Sequence, residues 1–227
     1  MIAGVDGCKG GGWIAAVDLS GGATEIRGPF SFLDLLRQND LKLIVIDIPI
    51  GLFDMGWREC DLAAQELLKP LRDKSVFLVP ARSVVEASSY EEAKRLSREI
   101  HGKAPSMQAY SIFKRILDVD NEMTPSLQKR VREAHPEVCF AEMNGRKPLH
   151  TKKKDAEGQA ERLGVLRPHF HDISKQVEAF GRRGLISDVI DAYACLWTAR
   201  RVQQSLAYSL PSRPQRGSRD LIAEIVV

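Results

Sequence analysis

Asp6, Asp47, Asp188 and Asp191 are the residues from which a chemistry can be assembled. Asp6 closes the apolar run Ile2–Val5 and is followed by Gly7, Cys8, Lys9 and Gly10–Gly12 before a second run, Trp13–Val17. The glycines allow a tight turn and close approach of a phosphate or a metal-bound ligand to bare backbone. Their spacing is neither that of a P-loop nor that of a dinucleotide fingerprint. Asp47 closes the β-branched run Leu41–Ile46. If the two strands lie parallel and adjacent, both carboxylates reach the carboxyl edge of the sheet, where open α/β sheets place their sites. Asp188 and Asp191 are three apart in a helix that Ser187 would cap, so they share a face about a turn apart. Singly, each acid has a plainer use at a turn, a strand end or the positive end of a helix dipole. Together they form a hard-oxygen donor set for Mg²⁺ or Mn²⁺. Two such ions about 3.5–4 Å apart would activate water and stabilise the leaving oxygen of a phosphodiester.

The elements that must carry these acids read as follows. Ile2–Val5 and Trp13–Val17 form a hairpin, Ala23–Arg27 a third strand, and Phe32–Leu36 a helix capped by Ser31. Leu41–Asp47 is a strand buried on both faces, ended by Ile48–Pro49. Residues 51–135 read as helical, over Arg58–Leu68, Tyr90–Ile100, Ser106–Val119 and Ser126–Ala134, and form an elaboration covering the site. Glu137–Met143, after His135–Pro136, reads as the fifth strand, which would place Glu137 at the end away from the strand-end acids. A helix from about Ala156 follows, then the amphipathic helix of Asp188 and Asp191, with Val189, Tyr193, Leu196 and Trp197 toward the sheet. Ser205–Arg219 is expected to be an irregular arm and Leu221–Val227 a short docking strand.

The chain has 227 residues, 44% hydrophobic and 28% charged, an ordinary balance for one globular domain with a sizeable core. No apolar run approaches the ~20 residues of a membrane span, and no signal-peptide pattern opens the sequence, so a cytoplasmic protein with no membrane partner is expected. Cys8, Cys60, Cys139 and Cys195 are widely spaced and read as free thiols. The net charge of +3 permits an anionic partner. Arg146, Lys147, His150 and Lys152–Lys154 make a basic segment, either a solvated loop or an anion site. Arg58–Asp61 and Ser75–Arg82 read as solvated or capping stretches.

The order β-β-β-α-β, helices, β and an acidic C-terminal helix resembles the ribonuclease H-like fold, in particular its Holliday-junction-resolvase-like branch. More closely, the chain resembles an uncharacterised, numbered family of predicted ribonuclease H-like nucleases. The resemblance rests on Gly4-Val-Asp6-Gly-Cys-Lys9, Trp13, Asp47-Ile-Pro-Ile-Gly51-Leu, Arg58 with Cys60-Asp61, Ser75-Val-Phe77, Pro80 with Arg82, Glu133-Ala-His135-Pro-Glu137-Val, Lys152-Lys-Lys154 with Glu157-Gly158, and Asp188–Ala199. It spans nearly the whole chain and departs at an extra glycine in Gly10–Gly12 and at Asp155, where a Thr or Ser is expected. It implies a mixed five-stranded sheet flanked by helices, with a helical insertion between the fourth and fifth strands. The implied activity is metal-dependent hydrolysis of nucleic-acid phosphodiesters. Asp6, Asp47 and Asp191 would hold the metal, with Asp188 a fourth ligand or water-orienting group. Glu137 and His135 would assist, and Lys9, Arg82 and Lys152–Lys154 would contact phosphates. The competing readings are a nucleotide-binding phosphotransferase of the actin-like kind, which usually needs a duplicated core, and a non-catalytic nucleic-acid-binding module.

Overall fold

The structure, a computed structural model, describes residues 1–227 apart from the side chains of Ser20 and Arg183. The chain opens with β1 (Ile2–Gly7), β2 (Trp13–Asp18), β3 (Thr24–Phe30), α1 (Phe32–Leu36) and β4 (Leu43–Ile46). Then come α2 (Glu59–Leu67), α3 (Arg82–Val85), α4 (Tyr90–His101), α5 (Met107–Tyr110), α6 (Phe113–Glu122), β5 (Val131–Glu133) and α7 (Pro136–Met143). It closes with α8 (Ala156–Leu166), α9 (Ile173–Phe180), α10 (Ile186–Gln203), β6 (Ser209–Arg216) and β7 (Ile222–Val226). Five strands form one mixed sheet in the order β3-β2-β1-β4-β5. β2 is antiparallel to both β1 and β3, while β1, β4 and β5 run parallel.

The sheet is buried on both faces because its central strands are apolar at every position a core can reach. Side chains alternate between faces. Ala3, Val5, Ile44 and Ile46 enter a core shared with α1 and α3–α6, whereas Ile2 and Val45 enter one shared with α7–α10. Gly4 and Asp6 therefore follow Ile2 toward α10, and Asp47 follows Val45. The register pairs Val5 with Ile46, which makes Asp6 and Asp47 the next neighbours along the parallel ladder. The amide of Asp47 donates to the Val5 carbonyl at 2.9 Å.

α10 lies directly on β1. A Cβ on Gly4 would fall 1.9 Å from the Leu196 amide nitrogen and 2.2 Å from the Ala192 oxygen, so glycine is what lets helix and strand backbones touch. Every residue from Val189 to Ala199 is buried, so the middle of the helix is enclosed all round rather than amphipathic. It begins at Ile186 after Leu185, which leaves Ser187 inside the first turn and not at the cap. Ser31, by contrast, does cap α1, accepting the Asp34 amide.

Several other expectations are corrected. Glu137–Met143 is α7, with Pro136 in the first helical turn, where its missing N–H costs nothing. The fifth strand is Val131–Glu133, inside the stretch read as the helix Ser126–Ala134, so the insertion after β4 ends at Arg130. Ser106–Val119 is broken into α5 and α6. The third strand extends to Phe30. The arm after Ser205 is no loop: β6 pairs antiparallel with β7. That hairpin buries Ala223, Ile225 and Val227 with Cys60 and Ala64 of α2. Among the described residues no helix is long and apolar enough to cross a membrane.

Candidate metal centre

Asp6 and Asp47 meet at the carboxyl edge of β1 and β4, and Asp191 comes down on them from α10. Asp6 and Asp191 are 6% and 1% exposed. Asp6 Oδ1 accepts the Gly7 amide at 2.7 Å. Burial, then Asp47 and Asp191, raises the Asp6 carboxyl well above the ordinary range. Burial foremost also raises Asp47, against the opposing pull of His135 and Lys153 and a hydrogen bond from Asp6. Asp188, one turn before Asp191, is raised by burial too, with Lys153 opposing.

A lysine occupies the middle of these acids. Lys153 Nζ donates to Asp191 Oδ2 at 2.6 Å. Attraction to Asp191 first, and to Asp6 and Asp47 besides, holds the ammonium protonated above its usual range. The segment carrying it is built, not loose. Glu161 on α8 accepts the amides of His150 and Thr151 at 3.3 and 3.1 Å. Arg162, 1% exposed, donates to the Gly158 carbonyl at 3.1 Å and to Glu137 Oε1 at 2.5 Å. A Cβ on Gly158 would stand 1.8 Å from the Lys152 carbonyl oxygen, so this glycine seats the loop on α8. Lys152 and Lys154 flank Lys153 with exposed side chains. Asp155 stands at the start of α8 without a side-chain capping bond.

The other named residues divide. Asp6, Asp47, His135, Glu137 and Lys152–Lys154 line one cavity of about 590 Å³. Glu137 sits in the first turn of α7, on the cavity, not at the far end of a strand. Neither Lys9 nor Arg82 lines it. Lys9 is exposed on the β1–β2 turn. Arg82 is engaged with Asp120 at 2.8 and 3.1 Å and with Ser218 Oγ at 3.0 Å, tying α3 to α6 and the β6–β7 turn.

Two groups escaped the sequence reading. Arg115 on α6 donates to the Cys8 carbonyl at 2.8 Å, lies 5.4 Å over the Trp13 ring and lines the cavity, so it braces the turn after Asp6. In sequence it looks like any surface base of an amphipathic helix. The second group is Arg58, which is no solvated residue. It is 1% exposed and donates to Glu133 at 2.6 and 2.7 Å, while Asp61 lies 3.5 Å away. Glu133 in turn accepts the Ile50 amide and Asp61 the Val79 amide, at 2.7 and 2.9 Å. The proximity of Arg58, Cys60 and Asp61 in one motif was the available signal.

Which of these could hold a metal follows from charge and donor type. Cys60 Sγ and carboxylate oxygens of Asp61 and Glu133 lie within 4.8 Å of one another, a group that could hold a metal ion. The Arg58 guanidinium already sits on all three, at 2.9 Å from Cys60 Sγ. A buried cation there balances the charge that would attract another. The strand-end acids do not form so close a group of ligand atoms, and Lys153 is drawn in among them. Their donor chemistry is nevertheless of the kind a hard divalent ion takes. They are all-oxygen donors, and Asp6, Asp47, Asp188 and Asp191 confront a single paired ammonium.

The fold and this edge of carboxylates define an α/β protein with a mixed five-stranded sheet flanked by helices. Residues 4–216 match the sequence pattern of the family described as "Protein of unknown function (DUF429)", and the chain belongs to that family. No curated protein and no solved structure matches the chain.

Proposed function

We propose that this protein is a divalent-metal-dependent hydrolase of phosphodiester bonds, a nuclease of ribonuclease H-like fold. The observation that carries the reading is the convergence of Asp6, Asp47 and Asp191, from two adjacent parallel strands and one helix, at the edge of a cavity lined by lysines. The strand order with only β2 reversed is in keeping with the ribonuclease H-like fold that the resemblance implies. Asp6, Asp47 and Asp191 would hold Mg²⁺ or Mn²⁺, with Asp188 behind them. The ion would supply a Lewis acid that activates water and offsets charge on the phosphoryl oxygens.

The chain's own residues complete the site. Lys153 holds the acids together by its charge and is placed to turn from Asp191 to a phosphate. Lys152 and Lys154 gather anionic substrate at the rim. Arg115 fixes the turn that follows Asp6. His135, on the cavity wall with Nδ1 buried and unpartnered, is placed to carry a proton.

Calorimetric titration with Mn²⁺ tests the centre: wild type should bind and Asp6→Asn should bind at least ten-fold more weakly, while equal binding would refute it. In a cleavage assay with labelled DNA and RNA, Asp191→Asn should abolish turnover, because an amide oxygen is a poorer ligand for a hard cation. ATP turnover that survives Asp191→Asn, with no nucleic acid cleaved, would transfer the protein to the phosphotransferases.

A further inference from the structure

The cavity beside the acids has a size and a wall chemistry that point to one kind of ligand. At about 590 Å³ it falls in the range of pockets that enclose a single small molecule. The stretch Lys74–Phe77 forms one wall, Gln108 of α5, Ile112 between the two helices and Arg115 of α6 contribute to it, and the Lys152–Asp155 loop closes another side. A duplex carries its phosphates on a convex outer surface, with its bases stacked inside, and so brings no single base to a recess of this size. An unpaired nucleotide does.

The polar atoms on the wall set how it would lie. Glu137 gives Oε1 to Arg162 at 2.5 Å, whereas Oε2 is buried and has no hydrogen-bond partner. Its side chain is 10% exposed. A carboxylate oxygen only accepts, and leaving it unpaired in a buried place is costly, so it calls for an N–H or O–H from whatever fills the cavity. It equally repels phosphate, which belongs instead with the cations near Asp6 and Asp47. Val76, Phe77 and Val79 make an apolar stretch of wall, and half-buried Phe77 is its aromatic member, the residue type on which a flat heterocycle stacks.

We infer that this cavity takes a single nucleotide unit, either free or as the terminal residue of an unpaired strand. Its phosphate lies toward Asp6 and Asp47, its ring against Phe77, and a sugar hydroxyl or base amine donates to Glu137 Oε2. The orientation of the phosphate rests on the phosphodiesterase reading above. The enclosure and the unpartnered acceptor do not.

The test titrates the full chain, with and without Mn²⁺, with thymidine and adenosine 5′-monophosphates, inorganic phosphate and a blunt 20-base-pair duplex. A parallel assay offers linear and covalently closed circular single-stranded DNA. A nucleoside monophosphate should bind at one site at least ten-fold more tightly than inorganic phosphate. Phe77→Ala and Glu137→Gln should each reduce that preference several-fold, and Phe77→Ala, at a half-buried wall position, keeps the test alive if the Glu137 variant fails to fold. Phosphate bound as tightly as the nucleotides would overturn the inference, and if circles were then cut as fast as linear strands the nuclease would stand without it. Nucleotide binding without cleavage of any polymer would uphold the inference and remove the nuclease. Neither binding nor cleavage would remove both.

Discussion

Asp6 carries its carboxyl into a place that opposes charge, since it is buried and faces Asp47 and Asp191. In the metal-free protein this is a linkage with a definite sign. A carboxyl whose value is raised on folding binds more protons folded than unfolded across that interval. Its stabilising contribution is whole below the unfolded value near 3.8 and is lost as pH rises through the raised one. In chelator, the unfolding free energy of the wild type from urea titrations should therefore decline as pH rises above about 4, by at most about 1.4 kcal/mol per pH unit from this group. Asp6→Asn is neutral at every pH, so it should lose that slope and be the more stable protein at pH 8. Parallel curves for the two proteins would show that Asp6 keeps an ordinary carboxyl. On the proposed function the same substitution would trade metal binding for metal-free stability, as expected where like charges are gathered for a task.

The loop between α7 and α8 shows what an element can hide. Its lysines were visible in the sequence, but the pairing of one with Asp191 depends on Glu161, Arg162 and Gly158, contacts that no local pattern encodes. Gly158→Ala should force the Lys152 carbonyl outward and carry Lys153 away from Asp191. We expect a loss of about 1–3 kcal/mol in stability, as for other overpacked sites, and several-fold weaker binding of anionic substrate. Urea denaturation and a binding titration check the two effects, and a variant that matches wild type in both would mean the loop is seated by other contacts. The sheet itself was legible where periodicity and glycine spoke plainly: β1, β2, α1, β4 and the acid-bearing helix lie where their apolar runs predict. The fifth strand was not, for two reasons. Val131–Glu133 is too short to show a period, and Val138–Ala141 is an apolar run that suits a buried helix as well as a strand. Pro136 followed by Glu137 is the pattern of a helix's first turn, and a proline opens a strand as readily as a helix.

At the scale of the whole molecule, the carboxyl edge of the sheet was legible and its enclosure was not. Asp6, Asp47 and Asp191 announce themselves by ending apolar runs or by spacing. Arg115 and Glu133, and Arg58 paired with Glu133, become meaningful only when segments far apart in sequence come together. The same closure shuts away all four cysteines, at 2% exposure for Cys8 and 0% for Cys60, Cys139 and Cys195. They are not shut away equally. Cys8 lies in the turn whose Gly10 and Gly11 have no neighbouring atoms where a side chain would be, and its thiol is raised by burial and then by Asp188. Cys139 and Cys195 lie in the core where α7 and α10 pack. The native chain is thus its own stopwatch, in which alkylation times the opening of each region. Timed exposure to iodoacetamide followed by mass spectrometry should find Cys8 labelled at the rate of a local opening. Cys139 and Cys195 should be labelled only as fast as the whole protein unfolds, and Mn²⁺ should slow Cys8 alone. Equal rates at all three would mean that the turn beside Asp6 opens only with the entire core.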